Sequence, residues 1–349
     1  MRVLPRRVRR PVVGVVTAVL VVVVGSSVLL VPPVLADALG GSSAHAVAGL
    51  APLGSGKTTL TYCANGGVAE TLDVYEPTPL PSSPVPVVVY VHGGGWVEGD
   101  STITPGSLVA QVASAIEAKG WVFVSIDYRL APKFRWPDQI EDASCAIRFL
   151  RAKSSALHID PGAIGAMGDS AGGQIVSLLG LAGSSAGFDG GRYADESSSV
   201  QAVADLYGPA DLTTTDWIDD PFIQAYAPQA FGTKFGPGPA GSASTKALVA
   251  ASPDSYIGPD APPFLIVQGA EDSVVPPDQS MGLDYRLRAA GDSATLVMVE
   301  HAQHGLLSVA GGTMTPSVSQ VAAQTAAFLI KHLQPSASHP TGTHRAARR

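Results

Sequence analysis

Apolar residues along the chain gather into short unbroken runs, and these alternate with stretches whose apolar positions recur every three or four residues. Val85–Val91 (VPVVVYV) is apolar at every position, as a strand buried on both faces should be. Residues 121–127 (WVFVSID) predict a second strand of the same kind. Over 138–152 the pattern changes period: Ile140, Ala143, Ile147 and Leu150 fall on one face of a helix. The same reading continues down the chain, with a strand at 163–168, a helix at 171–181, and strands at 200–206 and 263–268. A helix at 278–290, a strand at 295–299 and a last helix at 318–333 complete the series. Alternation of this sort predicts an α/β fold: a mostly parallel sheet covered by helices.

The alternation holds from about 59 to 334 and is interrupted once, at 211–256. That interruption carries Trp217, Phe222, Tyr226, Phe231 and Phe235 among many Pro and Gly residues. It predicts a small insertion at the mouth of the site rather than a separate domain, because long loops in compact domains are often lids or binding loops, with an ordinary surface excursion as the alternative. Residues 37–58 are rich in Gly, Ala and Ser and read as a linker, and 335–349 as a disordered basic tail.

The N-terminus follows a different pattern. Arg2, Arg6, Arg7, Arg9 and Arg10 precede a stretch from Pro11 to Ala36 that carries no charge. Pro32-Pro33 and small residues around Ala36 and Ala38 close it. Residues 1–36 therefore read as a cleaved signal peptide, with a retained membrane anchor as the alternative, since about 20 apolar residues can span a bilayer. Either way the rest of the chain is expected outside the cytoplasm, in agreement with the positive-inside rule.

The 349 residues suffice for a large core, and a composition 46% hydrophobic and 15% charged is that of a globular protein. A net charge of −7 argues against nucleic acid as a partner. The two cysteines, Cys63 and Cys145, are compatible with one disulfide in an oxidising compartment or with two buried thiols. Nothing resembles a Cys/His metal cluster. One motif misleads: Gly54-Ser55-Gly56-Lys57-Thr58-Thr59 looks like the end of a phosphate-binding loop. The full pattern needs Gly where Ala51 stands, and a preceding strand and following helix that the pattern here does not supply.

Candidate chemistry lies at the ends of the predicted strands. Gly168-Asp169-Ser170-Ala171-Gly172 joins a strand to a helix, and small residues there permit a sharp turn that lifts the Ser170 hydroxyl above the sheet edge. A serine hydroxyl is a weak nucleophile until a base takes its proton, and the alternative role for Ser170 is helix capping. His92-Gly93-Gly94-Gly95-Trp96 directly follows the first strand. Gly94 and Gly95, with Ala171, are the candidate oxyanion-hole donors, because glycine lets backbone N–H groups approach a ligand closely. His92 reads as structural, and Trp96 as either a pocket wall or packing. Asp272 follows the FLIVQG strand and is the candidate to orient an imidazole, with Glu271 as rival. His304 follows the TLVMV strand and is the candidate base, with His301 as rival. His332, His339 and His344, in the last helix and tail, read as surface histidines. The chain order Ser170, Asp272, His304 is that of a serine hydrolase triad on an α/β sheet.

Taken together these residues resemble the α/β-hydrolase superfamily. Within it they are similar to bacterial carboxylesterases of the hormone-sensitive-lipase and BD-FAE (bifunctional feruloyl/acetylxylan esterase-like) groups. Leu72-Asp73-Val74-Tyr75-Glu76-Pro77, HGGGW with Gly99-Asp100, Asp127-Tyr128-Arg129-Leu130-Ala131-Pro132, and Trp136-Pro137-Asp138-Gln139-Ile140-Glu141-Asp142 carry the likeness, with GDSAGG and the Asp272 and His304 loops. It covers about 60–333. The Asp-x-Val-Val-Pro context of Asp272 matches the BD-FAE-like group better than the Asp-Pro-Leu context of the other. The resemblance implies an eight-stranded sheet and serine esterase activity without metal or organic cofactor. The expected substrate is a small-molecule or polysaccharide-linked ester. The aromatic insertion suggests an apolar or aromatic acyl or alcohol group. An amidase or acyltransferase would use the same residues, and a non-catalytic binding protein could share the fold. Oligomeric state is not legible.

Overall fold

The computed structural model describes residues 22–24, 27–29, 56–183, 186–217 and 221–334. The chain divides into two units, Met1–His45 and Ala46–Arg349. In the first, strands β1 (Val22–Val24) and β2 (Ser27–Leu29) pair antiparallel, Val22 opposite Leu29. The rest of the 1–36 segment read as a signal or anchor lies outside the described residues, as does the 335–349 tail. Among the described residues no helix is long and apolar enough to cross a membrane.

In the second unit eight strands form one sheet. They are β3 (Lys57–Asn65), β4 (Val68–Tyr75), β5 (Val85–Val91), β6 (Val122–Ile126), β7 (Ile159–Asp169), β8 (Ala202–Leu206), β9 (Phe264–Gly269) and β10 (Ala294–Val299). Their spatial order is β10-β9-β8-β7-β5-β6-β4-β3. All neighbours from β6 to β10 run parallel, while β4 runs antiparallel to both β6 and β3. This is the mostly parallel α/β sheet that the apolar runs predict.

Helices cover both faces. They are α1 (Leu108–Ala118), α2 (Asp138–Ala152), α3 (Ala171–Leu181), α4 (Pro221–Phe231), α5 (Ala243–Ala251), α6 (Pro277–Ala290) and α7 (Val318–His332). Alternation along β5 shows why its sequence is apolar throughout. Val87, Val89 and Val91 join the core beneath α2, α3 and α6, while Val88 and Tyr90 join the core beneath α1 and α7. Adjoining β6 divides the same way, with Val122, Val124 and Ile126 on one side and Phe123 on the other.

Three elements depart from the sequence reading. β4 and α1 are absent from it. Leu72, Val74 and Tyr75 of β4 alternate with charged residues, and Glu70 and Asp73 are themselves buried, so their polar neighbours hide the strand. In α1 the small residues Ala110 and Ala113 carry part of the buried face, which weakens its periodicity. Of the predicted linker, 37–55 lie outside the described residues, and Lys57 and Thr58 instead pair with Tyr75 and Val74 in the edge of the sheet. The lysine of the phosphate-loop-like run is thereby accounted for, since Lys57 Nζ lies 2.9 Å from Asp73 Oδ2.

The 211–256 insertion is helical, and its interior residues merge with the main core. Trp217, Ile223, Ala227, Phe231, Phe235 and Leu248 belong to the same cluster as β5 and α3. Gln279 of α6 holds its start: its carbonyl oxygen accepts from the backbone N–H groups of Ala210 and Asp211, and its amide donates to Thr214 and Asp216.

Cys63 and Cys145 form a disulfide, with Cα atoms 6.5 Å apart, that ties edge strand β3 to α2. Both residues are buried, so the bond adds a covalent tie where the sheet edge meets its covering helix. Replacing both with Ala should lower the unfolding free energy by about 2–4 kcal/mol. Denaturant melts of the double variant check this, and an unchanged midpoint would contradict it.

Asp205 lies wholly inside the fold, on β8 beneath α3, where it accepts hydrogen bonds from Ser177 Oγ (3.0 Å) and Gly208 N (2.8 Å). Burial dominates these contacts and raises its pKa from 3.8 to about 6. The folded state therefore binds this proton more tightly than the unfolded chain, so Asp205 makes stability fall as pH rises from about 4 through 6. Asp205→Asn removes that slope. Relative to the parent, the variant should gain up to about 3 kcal/mol of stability between pH 4 and pH 7. Parallel melts of both proteins across this range would show the divergence.

Candidate active site

Four loops meet at the C-terminal edge of the sheet, where ligands bind in open α/β folds. They follow β5, β7, β9 and β10 and carry the HGGGW run, Ser170, Asp272 and His304.

Ser170 stands at the junction of β7 and α3 with φ 51° and ψ −118°, a conformation that non-glycine residues rarely adopt. Its neighbours explain how the turn is held. A Cβ on Gly172 would overlap the Val91 carbonyl oxygen, and one on Gly168 would overlap that of Gly172. The backbone N–H of Ser170 donates to Leu206 O (2.9 Å), and its carbonyl accepts from Gln174 N (3.1 Å). Its hydroxyl makes no capping bond to the helix. It lies 2.9 Å from His304 Nε2 instead.

His304 Nδ1 lies 2.8 Å from Asp272 Oδ2. A carboxylate only accepts, so Nδ1 carries the proton and Nε2 is left to accept from the serine hydroxyl. The Asp272 side chain is fully buried and collects further donors. Val274 N and Val275 N each donate to Oδ1 at 2.9 Å, and Gln268 Nε2 donates to Oδ2 at 3.1 Å. The Val-Val-Pro context thus acts through its backbone. Tyr207, itself at φ 47°, packs its ring edge-on against the imidazole with centroids 5.1 Å apart.

Glu271 and His301, the two rivals, pair with each other at 3.2 Å on the surface, 44% and 53% exposed. His332 packs against Phe328 in α7, and burial lowers its pKa. His339 and His344 lie outside the described residues.

The HGGGW loop sits beside the serine turn. Gly93 N donates to Asp169 Oδ1 (3.0 Å), and the Tyr90 hydroxyl donates to the same oxygen (2.6 Å). A Cβ on Gly93 would lie 2.7 Å from Asp169 Oδ2, so glycine is needed for the loop to come this close. Gly94 and Gly95 both have positive φ, 106° and 57°. Ala171, buried, opens α3 directly after Ser170. His92 is buried, stacks on Tyr128 at 4.2 Å and bonds Gly93 O through Nδ1. Burial lowers its pKa and keeps it neutral. Burial, reinforced by the Asp169 carboxylate, pushes Tyr90, Tyr128 and Tyr207 up, so these hydroxyls stay protonated.

Trp96 proves to be packing. It is 1% exposed, donates to Gln174 Oε1 (3.1 Å) and meets Phe231 and Phe235 edge-on. The insertion's aromatics divide accordingly. Trp217, Phe231 and Phe235 fill the core, so their apolar character reflects packing rather than a substrate group. Phe222 and Tyr226 remain part-exposed, with rings 4.3 Å apart. Tyr226 Cδ1 would lie 3.0 Å from a Cβ on Gly95, so this ring stands directly over the glycine loop. Among the described residues, no group of three or more His, Cys, Asp or Glu side chains could hold a metal ion.

Sequence reasoning overlooked Asp169, Tyr207 and Gln268. Asp169 is the variable position of the Ser170 motif, and Tyr207 precedes a glycine at a strand end with no motif to mark it. Gln268 does carry a signal: it is the one amide in an otherwise apolar FLIVQG strand.

Comparison with known proteins gives the chain's family and its fold relatives. The family model described as BD-FAE matches residues 72–287. Esterase LipC of Mycobacterium tuberculosis is 31% identical over 267 residues, covering 73% of this chain and 61% of its own length. Probable carboxylic ester hydrolase LipM of the same organism is 30% identical over 241 residues, covering 68% of this chain and 54% of its own. The chain thus spans little more than half the length of these curated relatives. Among solved structures, a butyrate-bound thermophilic esterase of the Planctomycetes species Thermogutta terrifontis superposes with a TM-score of 0.63 at 22% identity. That match covers 81% of this chain and 97% of the other, and shows the shared fold.

Proposed function

The chain belongs to the BD-FAE family, and from that premise we propose that it is a serine carboxylesterase acting through Ser170, His304 and Asp272. The observation that carries the reading is the unbroken hydrogen-bonded line from the Ser170 hydroxyl through both imidazole nitrogens to the buried Asp272 carboxylate. A serine held in a strained turn, with a base on its hydroxyl and an acid behind the base, is arranged for acyl transfer.

In the proposed reaction His304 Nε2 takes the hydroxyl proton as Ser170 Oγ attacks the ester carbonyl carbon. Asp272 accepts from Nδ1 and stabilises the imidazolium that forms. The tetrahedral intermediate's oxyanion lies against the backbone N–H groups of Gly94, Gly95 and Ala171. Each donor of this kind contributes about 3–4 kcal/mol of transition-state stabilisation. The imidazolium returns its proton to the leaving alkoxide as the C–O bond breaks, leaving the acyl group on Ser170. Water, deprotonated by His304, then attacks the acyl-enzyme carbonyl, and the imidazolium returns that proton to Ser170 Oγ as the Oγ–acyl bond breaks, releasing the carboxylic acid and the free enzyme.

The part-exposed Tyr226 ring over Gly95 supports short acyl groups as substrates, since it narrows the space beside the glycine loop. Export is part of the same proposal. It rests on the five arginines followed by the uncharged stretch to Ala36, and it makes an extracytoplasmic ester, free or on a polysaccharide, the natural target.

Hydrolysis of p-nitrophenyl esters from acetate to palmitate, by the parent protein and Ser170→Ala, tests the reading. Turnover should be highest on acetate to butyrate, and Ser170→Ala should lower kcat by on the order of 10⁶. Retention of parental activity by Ser170→Ala would refute the nucleophile assignment. A preference for palmitate would refute the short-acyl assignment.

A further inference from the structure

Gln268, the penultimate residue of β9, is fully buried and lies behind the triad acid. Its Nε2 faces three acceptors: Asp272 Oδ2 at 3.1 Å, Val275 O at 3.1 Å and Gly269 O at 3.2 Å. Its Oε1 accepts from the hydroxyl of Ser280, which is itself fully buried on α6, at 2.7 Å. The amide orientation follows from these partners. Turned over, Oε1 would face three oxygens that can only accept, and Nε2 would face a hydroxyl better used as the donor.

We infer that Gln268 is a positioning residue for the proposed reaction: it fixes the Asp272 carboxylate, and through it the His304 ring, to helix α6. Asp272 Oδ2 is the very oxygen that accepts from His304 Nδ1, so a donor on that oxygen determines where the imidazole points. The line then runs Ser170–His304–Asp272–Gln268–Ser280, from the nucleophile to a rigid helix. An isolated carboxylate buried at this depth would be costly, and the Gln268 donor offsets part of that cost while leaving the carboxylate anionic. An apolar residue of equal size would fill the same space and leave Oδ2 with the imidazole alone. The inference rests on the hydrolase reading of the site, and two kinds of measurement keep the two apart.

The first measurement is kinetic. Gln268→Met should lower kcat about tenfold on p-nitrophenyl butyrate, with KM changed less than about twofold, because orientation rather than binding is lost. Gln268→Glu keeps the shape. While the introduced carboxyl holds a proton it can donate to Asp272 as the amide does; once ionised it repels it. Its kcat should therefore approach the parental value at low pH and fall away as pH rises, adding an alkaline limb that the parent lacks.

The second measurement is the low-field proton resonance of His304 Nδ1–H, which needs no turnover. It should move in Gln268→Met at all pH values, and in Gln268→Glu only where the new limb appears. Thermal melts identify which variants fold, and the isosteric Gln268→Glu serves if Gln268→Met does not. A pH profile and a resonance both unchanged in a folded variant would overturn the inference and leave Gln268 as packing. Absence of ester hydrolysis by the parent protein would instead count against the hydrolase reading, while the resonance would still decide the role of Gln268.

Discussion

Everything at the catalytic edge depends on one close approach: the backbone of Gly172 lying against the Val91 carbonyl at the junction of β7 and α3. No side chain larger than hydrogen fits there, and none fits at Gly168 either. The contact presses α3 onto the ends of β5 and β7 and forces Ser170 into its left-handed conformation. Such backbone strain costs on the order of 1–3 kcal/mol and persists only where the surroundings over-determine it. Here they do, through Leu206 O, Gln174 N and the His304 ring. The same compression brings the glycine loop after β5 beside the serine, with Asp169 bridging the two.

A second theme is the use of buried polar groups to hold loops that strands alone cannot hold. Asp272 is gripped by two backbone N–H groups, an amide and an imidazole. Asp169 takes a backbone N–H and a tyrosine hydroxyl on one oxygen. Gln279 collects four partners at the root of the insertion, and Gln174 joins Trp96 to Ala251 at its far end. In each case a single side chain fixes a loop relative to a helix or strand. An unmet partner in a dry interior would be costly, so such networks hold as units. Asp205 is the exception, because burial outweighs its two donors and its pKa rises.

The insertion shows how the core and the site share residues. Phe231 and Phe235 clasp Trp96, the last residue of the glycine run, so the packing of α4 helps set the shape of the loop. Tyr226, one turn earlier on α4, presents its ring to Gly95. The helix therefore reaches the glycine loop through Tyr226 while its own apolar face anchors it in the core.

Much of this was legible in the residues alone. Unbroken apolar runs gave away β5, β6 and β9 because strands buried on both faces have no polar side to show. Ser170, Asp272 and His304 stood out because each sits in a local context, a glycine turn or a strand end, that chemistry of this kind requires. What sequence could not decide are matters of distance between segments far apart in the chain. The pairing of Cys63 with Cys145 and the burial of Trp96 follow from how the sheet and helices pack, as does the setting of Glu271 and His301 on the surface against each other. β4 and α1 escaped notice because buried charges and small residues blur a periodicity that only their neighbours make meaningful. Local pattern determined which residues could do chemistry. Tertiary packing decided which of them meet, because hydrogen bonding and burial act across space and leave no mark on spacing along the chain.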